Sequence, residues 1–529
     1  MPPGQQLSIV VLLFAMACAP ARVMPVATVS SDASTSGTAV EEAKDQSWRN
    51  VKPVVEPLQA VTLPSVERQE LRNGIPVYLV ENHEVPLVLA RVLVNAGTCS
   101  EAPGKTGLAN FVTSLLSNAR VDANRLPLTE ELEQRGGTIH SGTTSDFSFI
   151  GLEALTADWE RSLNDLARVI QHPLIQAEEF DRHRAETLAE LRKTADLGAQ
   201  LSIQALRFIL HGPANPCGAP VAGTPASIRH LTLQDVLNFH RRYWSSAHFT
   251  VLLVGDFDRQ SALKVLNDAL GRLPRSSKAV VRKAQTRAPA APRFVIINRP
   301  GAAQANFAIG HIGPSLGSED WAAVTVMTRA LGGYYFSRIT KNLRIEKGYI
   351  YGANFIDNAA RLAESIVSIR SGVGVDVGGA TVVEIMKEIR GIIDTPPRDE
   401  ELKRAQTSIS NGMVVRLQGN SQIAAMLQDV AANNLPADYL NRFYEKLRRV
   451  TSEDVADAAR KFLSPQELSI VVVGPSERLE RDQQLRSLGN PQVLSIEQIF
   501  EDKTAASAIS DPSRGGGTRS GRARATARP

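Results

Sequence analysis

Leu231-Thr232-Leu233-Gln234-Asp235-Val236, followed by Phe239 to Tyr243 and by Val251-Leu252-Leu253-Val254-Gly255, is a stretch that this chain uses twice. Its second copy reads Val450-Thr451-Ser452-Glu453-Asp454-Val455, then Arg460-Lys461-Phe462, then Ile470-Val471-Val472-Val473-Gly474, in the same register and without a gap. Each copy opens with T-x-x-D, in which the Thr hydroxyl caps free N–H groups of a helix start and the acid favours its positive end. Each closes with a four-residue apolar run stopped by Gly, the pattern of a buried strand. A duplication on this scale predicts two similar domains. Strands and long helices are mixed without regular β-α-β alternation, so the predicted class is α+β.

The first domain is expected over 57–273. It opens with a hairpin signal, Arg72-Asn73-Gly74-Ile75, between Val66 to Leu71 and Val77 to Val80. An Ala/Pro/Lys/Arg-rich linker without apolar period follows over 274–292, and the second domain spans 293–488, starting at Arg293-Phe294-Val295-Ile296-Ile297. Residues 489–529 read as an extension ending in a basic tail. Arg514, Arg519, Arg522, Arg524 and Arg528 against Asp511 carry the whole formal net charge of +4. The body is therefore neutral despite a pI near 8.9, and no nucleic-acid footprint is visible.

Residues 1–18 read as an export signal. Leu7 to Ala17 has the length of a signal h-region and is too short to span a bilayer. Ala15-Met16-Ala17-Cys18 fits both a general cleavage site and a lipobox that would lipidate Cys18, with the low-complexity linker 19–56 as a tether. The expected location is the bacterial cell envelope, lipid-anchored and facing the periplasm, or alternatively secreted to the periplasm. With Cys18 assigned to lipid, Cys99 and Cys217 remain. They either pair in an oxidising compartment or stay as two buried thiols, and sequence leaves both open.

In Gly107-Leu108-Ala109-Asn110-Phe111-Val112-Thr113-Ser114-Leu115-Leu116 the apolar residues recur at helical spacing and mark one buried face. With the preceding Val92-Leu93-Val94-Asn95-Ala96-Gly97 and the loop Glu101 to Thr106, this stretch resembles the entry to the zinc helix of the insulinase/pitrilysin metallopeptidases. Those enzymes carry H-x-x-E-H there; here the three positions read Asn110, Thr113 and Ser114. The family's third ligand, a Glu on a later helix, aligns with Glu190. Asn and Ser are poor zinc ligands, and Thr113 cannot act as general base. None of the nine histidines falls in an H-E-x-x-H or H-x-x-E-H frame.

A second family element survives. Leu343-Arg344-Ile345-Glu346-Lys347-Gly348-Tyr349-Ile350-Tyr351, preceded by Gly332-Gly333 and Phe336-Ser337-Arg338-Ile339, resembles the family's L-R-x-x-x-G-x-x-Y pattern. Gly218-Ala219-Pro220-Val221-Ala222-Gly223-Thr224 resembles its G-x-P-x-x-G-T loop. The resemblance covers roughly residues 60 to 480 and implies the two-domain, processing-peptidase-like form: in each domain an antiparallel sheet with helices on one face. It also implies that Arg344 and Tyr351 hold the substrate peptide and its developing oxyanion, the task of a guanidinium fork and a hydroxyl.

The expected function is thus a non-catalytic subunit of a heteromeric metalloprotease. No metal is expected in this chain. Zinc is expected in a paralogous partner chain, and extended peptides are the expected substrates. The alternative is an envelope lipoprotein that binds peptides or scaffolds an assembly without proteolysis. An unorthodox peptidase is disfavoured, because Asn110, Ser114 and Glu190 form an oxygen-rich set unsuited to zinc.

Overall fold

The computed structural model describes residues 64–212, 215–275, 293–358 and 365–500. The export segment with Cys18, the 19–56 linker, most of the 274–292 linker and the basic tail lie outside the described residues. Two six-stranded sheets organise the chain. The first comprises β1 (Glu67–Glu70), β2 (Pro76–Glu81), β3 (Leu87–Val94), β4 (Thr138–Thr143), β5 (Ser148–Leu155) and β6 (Phe249–Gly255), in the order β1-β2-β6-β3-β5-β4. The second comprises β7 (Phe294–Asn298), β8 (Gln304–Gly313), β9 (Asn354–Asn358), β10 (Ser365–Gly374), β11 (Ser469–Gly474) and β12 (Gln492–Leu494), in the order β12-β7-β11-β8-β10-β9. Five consecutive strands of one sheet match five of the other in order and direction. Among these five, one pair in each sheet is parallel, β2 with β6 and β7 with β11, and β12 adds a second parallel pair with β7, so the sheets are mixed where pure antiparallel pairing was expected.

The helices used below are α1 (Leu108–Ser117), α2 (Ala177–Ala195), α3 (Gly198–His211), α4 (Leu233–Tyr243), α5 (Trp321–Leu331), α6 (Gly378–Asp394), α7 (Asp399–Arg416), α8 (Asn420–Ala432), α9 (Tyr439–Arg449) and α10 (Ser452–Phe462). The duplicated stretch is α4 with β6 and α10 with β11. Thr232 accepts from the Asp235 amide at 3.2 Å while Asp235 accepts from the Thr232 amide at 2.9 Å. Thr451 and Asp454 repeat the arrangement at 3.2 and 2.8 Å. The predicted caps are present in both copies.

Helices cover both faces of each sheet, where one covered face was expected. On one face of the first sheet lie α1 and its neighbours, through Leu108, Phe111, Val112 and Leu116. The other face, presenting Tyr78, Val80, Leu89, Leu93, Leu252 and Val254, is covered by Ile423, Ala424, Leu427 and Ala431 of α8, a helix from the second half. Reciprocally α3, from the first half, lays Leu201, Leu206 and Ile209 on Val295, Ile297, Val471 and Val473 of the second sheet. The physical cause is visible in the strands. Leu252 and Val254 alternate with Val251 and Leu253, all wholly buried, so both faces of β6 are apolar and both require cover. At about 1.5–3 kcal/mol per fully buried side chain, leaving one face in water would remove the stability of the sheet.

The second domain also extends further than 488. β12 pairs in parallel with β7, and Leu494 and Ile499 are buried against α3. This closes a sheet edge that would otherwise present unpaired backbone groups.

Candidate functional site

The entry to α1 is built as the sequence suggested. Gly107 has φ +91°, and a Cβ there would stand 2.6 Å from the Gly223 Cα, so the G-x-P-x-x-G-T loop packs backbone to backbone on the start of α1. The buried Glu101 accepts hydrogen bonds from the Gly107 and Ala109 amides at 3.0 and 2.8 Å, satisfying two free donors of the helix start. Burial pushes its carboxyl up to about 8, against the pull of those two amides.

The zinc positions do not make a zinc site. Thr113 is buried, donates to the Ala109 carbonyl at 2.8 Å and accepts from the Thr143 hydroxyl at 3.3 Å. Thr143 in turn lies 3.1 Å from the Ser148 hydroxyl, and Ser148 donates to the Ala96 carbonyl at 2.7 Å. A string of hydroxyls therefore runs where a general base would sit. Asn110 and Ser114 are half-buried on the same helix. Glu190, on α2, is exposed and lies 3.7 Å from Lys193. Two neutral side chains and one solvated carboxylate do not fit zinc, and among the described residues no three His, Cys, Asp or Glu side chains gather as a metal site. The contact between α1 and α2 is made instead by Phe111, whose ring lies 5.5 Å from Phe180 and 4.5 Å from His183. Burial holds the His183 imidazole below its ordinary value.

Arg344 and Tyr351 are brought together. Arg344 sits on a π-helical segment, Thr340–Glu346, a geometry enriched at functional sites. The segment ends because Gly348 takes φ +68°, which turns the chain so that the Tyr349 amide reaches the Leu343 carbonyl at 2.8 Å. It is clamped from both sides. Asn342 donates to Glu384 and Glu388 of α6 at 2.9 and 2.7 Å, and Arg338 donates to Glu401 of α7 at 2.6 and 3.0 Å. The Arg344 guanidinium lies 4.7 Å from the Tyr351 ring and 5.7 Å from the Tyr335 ring. Tyr351 is 87% exposed, and Tyr335, Phe336 and Ile345 are exposed around it. A phenol this open, beside a guanidinium held between two rings, is a ready pair of donors for a carbonyl oxygen.

Cys99 and Cys217 form a disulfide with Cα atoms 4.4 Å apart, which resolves the alternative left open by sequence. It fastens the loop before α1 to the segment after α3. The half-buried Arg207 of α3 completes the clasp by donating to Ser145 and, at 3.3 Å, to the Cys217 carbonyl.

Two family models match the chain, Insulinase (Peptidase family M16) over residues 77–208 and Peptidase M16 inactive domain over residues 230–409, together more than half of it. The chain belongs to the M16, or insulinase, family. An "uncharacterized zinc protease" of Mycobacterium tuberculosis is 24% identical over 413 residues, covering 75% of this chain and 90% of that protein. The mitochondrial-processing peptidase subunit beta of Blastocladiella emersonii is 22% identical over 446 residues, covering 81% and 93%. The non-peptidase homolog YmxG of Helicobacter pylori is 21% identical over 439 residues, covering 80% and 96%. Among solved structures, a peptidase M16 inactive domain from Pseudomonas fluorescens shares the fold with a TM-score of 0.71 at 23% identity, covering 78% of this chain and 98% of that one. This M16 chain is thus related both to zinc proteases and to a homologue named for lacking peptidase activity, and one relative is a subunit of a larger enzyme.

Three site residues escaped the sequence reading. Tyr335 and Phe336 stand in the quoted glycine context, yet nothing in a short aromatic run distinguishes exposed rings from core. Glu101 read as a loop acid, because its partners are backbone amides that a sequence does not display.

Proposed function

We propose that this chain is a non-catalytic subunit of a heteromeric M16 peptidase, contributing Arg344, Tyr351 and chamber wall to a zinc-bearing paralogue that cuts extended peptides. The observation that carries this reading is the contrast between the two halves. The zinc positions are filled by neutral or solvated groups unsuited to the metal, with Thr113 bonded to the Ala109 carbonyl and Glu190 exposed beside Lys193, whereas Arg344 lies 4.7 Å from the Tyr351 ring with the phenol open to solvent. The exposed aromatic group around it supports the same reading, since contiguous apolar surface marks a place where another chain binds. The experiment compares three samples for zinc content and for cleavage of an unfolded peptide: this chain, a paralogue with intact H-x-x-E-H, and their mixture. We expect no stoichiometric zinc and no cleavage from this chain alone, and a higher rate in the mixture than in the paralogue alone. A zinc content of about one per chain that is lost in Glu190→Ala would overturn it.

We further propose that the chain works in the cell envelope, anchored through Cys18. The Cys99–Cys217 disulfide supports an oxidising compartment. Detergent partitioning should follow the wild-type chain and disappear in Cys18→Ser; unchanged membrane recovery would contradict the anchor.

A further inference from the structure

Four helices leave a cavity of about 470 Å³ between them, within the roughly 300–1,000 Å³ of small-molecule pockets. One wall is α8, the helix seated on the first sheet; the others are α5, α7 and α9 of the second half. Its existence follows from the residue choices. Gly412 leaves α7 without a side chain at the lining, and a Cβ there would meet nothing within 4 Å. Trp321, Ile409, Met413, Met426, Val430 and Phe443 give an apolar floor, in which methionine adapts to differently shaped guests. The wall is firm on one side: the Tyr439 ring stacks on Phe443 at 6.0 Å, and its hydroxyl is tied to the Leu316 carbonyl.

Three charged residues line this space, Arg329, Arg416 and Asp429. Arg329 already donates to the Gly333 carbonyl at 2.9 Å. Arg416 makes no hydrogen bond or ion pair among the described residues, but its guanidinium is near enough to act electrostatically on Asp429. Asp429 and Arg416 are both exposed at this opening, and partial desolvation by the neighbouring helices pushes the Asp429 carboxyl up to about 6. The lining therefore presents one accessible cation and one accessible acid over an apolar floor. A ligand of a single charge would satisfy one of these and leave or repel the other.

We propose that this cavity binds a hydrophobic α-amino acid or a dipeptide of such residues, its ammonium on Asp429, its carboxylate on Arg416 and its side chain on the Met413, Met426 and Val430 floor. The site is independent of the Arg344–Tyr351 pair, so it stands or falls apart from the peptidase-subunit reading. The test is calorimetric titration of the full chain with L-phenylalanine and with L-leucyl-L-phenylalanine, beside 3-phenylpropionate and phenethylamine, which each carry one of the two charges. Saturable binding of at least one zwitterion is expected, and which of the two saturates identifies the guest. Each one-charge analogue should bind about tenfold more weakly or worse, and Asp429→Asn and Arg416→Gln should each weaken the zwitterion by a similar factor. Gly412→Leu, which fills the space, should abolish binding. Asp429→Asn keeps the size of its side chain and Arg416→Gln shortens an exposed one while removing its charge, and an unchanged circular-dichroism melt separates lost binding from lost fold. No saturable binding by either zwitterion, equal binding of the one-charge analogues, or affinity unchanged in both charge variants would overturn the proposal.

Discussion

Thr113 donates to the Ala109 carbonyl and accepts from Thr143, so its hydroxyl is consumed by local structure at the position where a peptidase of this family needs a base. That loss was legible in the sequence, because a missing His or Glu is a fact of composition at an aligned position. Glu101 was not legible, since its burial and its two amide donors exist only once the loop has folded over α1. It yields a pH prediction. Its carboxyl sits at about 8 in the folded chain against an ordinary 4.5. Between those values the folded state keeps a proton that the unfolded chain releases, so this stabilising contribution is full below about 4.5 and is lost as pH rises through about 8. The melting temperature of the wild type should therefore fall across about pH 5 to 8 more steeply than that of Glu101→Gln. Scanning calorimetry reads both slopes, and equal slopes would contradict the assignment.

At the scale of elements, the duplicated T-x-x-D helix and apolar strand were readable because a cap and a continuous apolar run stopped by Gly are local codes. The continuous apolar runs of β6 and β11 were read as buried strands, but one covered face was expected where the structure covers two. They could not announce which helix supplies the second cover, because the exchange of α3 and α8 joins residues far apart in the chain. β12 was missed for a related reason: three residues pairing at a sheet edge carry too little pattern to distinguish them from a tail. The disulfide belongs to this scale, since it closes a separation of 118 residues and pins the end of the exchanged helix α3 to the loop before α1. Its removal in Cys99→Ser/Cys217→Ser should cost about 2–4 kcal/mol of stability. Denaturant unfolding of that variant against wild type, both without reductant, measures this. Coincident midpoints would show that Arg207 and the apolar contacts suffice to hold α3.

Across the whole molecule, the two halves share one architecture and have opposite fates. The half that should hold zinc keeps its helix, its cap and its glycine contact, yet carries Asn110, Thr113 and Ser114 on the helix. The half that should hold the substrate keeps Arg344, Tyr351 and the π-helical frame that aims them. A chain under no demand except stability would have little reason to leave Tyr351 in water beside exposed Tyr335 and Phe336. The central claim is that these donors act on a reaction whose metal lies in another chain. Donors of this kind strengthen as negative charge develops, so they lower the barrier more than they tighten substrate binding. The most direct measurement is kcat for peptide cleavage by the complex of this chain with a zinc-bearing M16 paralogue, using wild type, Arg344→Ala and Tyr351→Phe. The account predicts a loss in kcat of about a hundredfold for Arg344→Ala, and a substantial loss for Tyr351→Phe, with complex assembly intact. A complex that forms normally and loses less than about threefold in both variants would assign the two residues to packing and contradict the account.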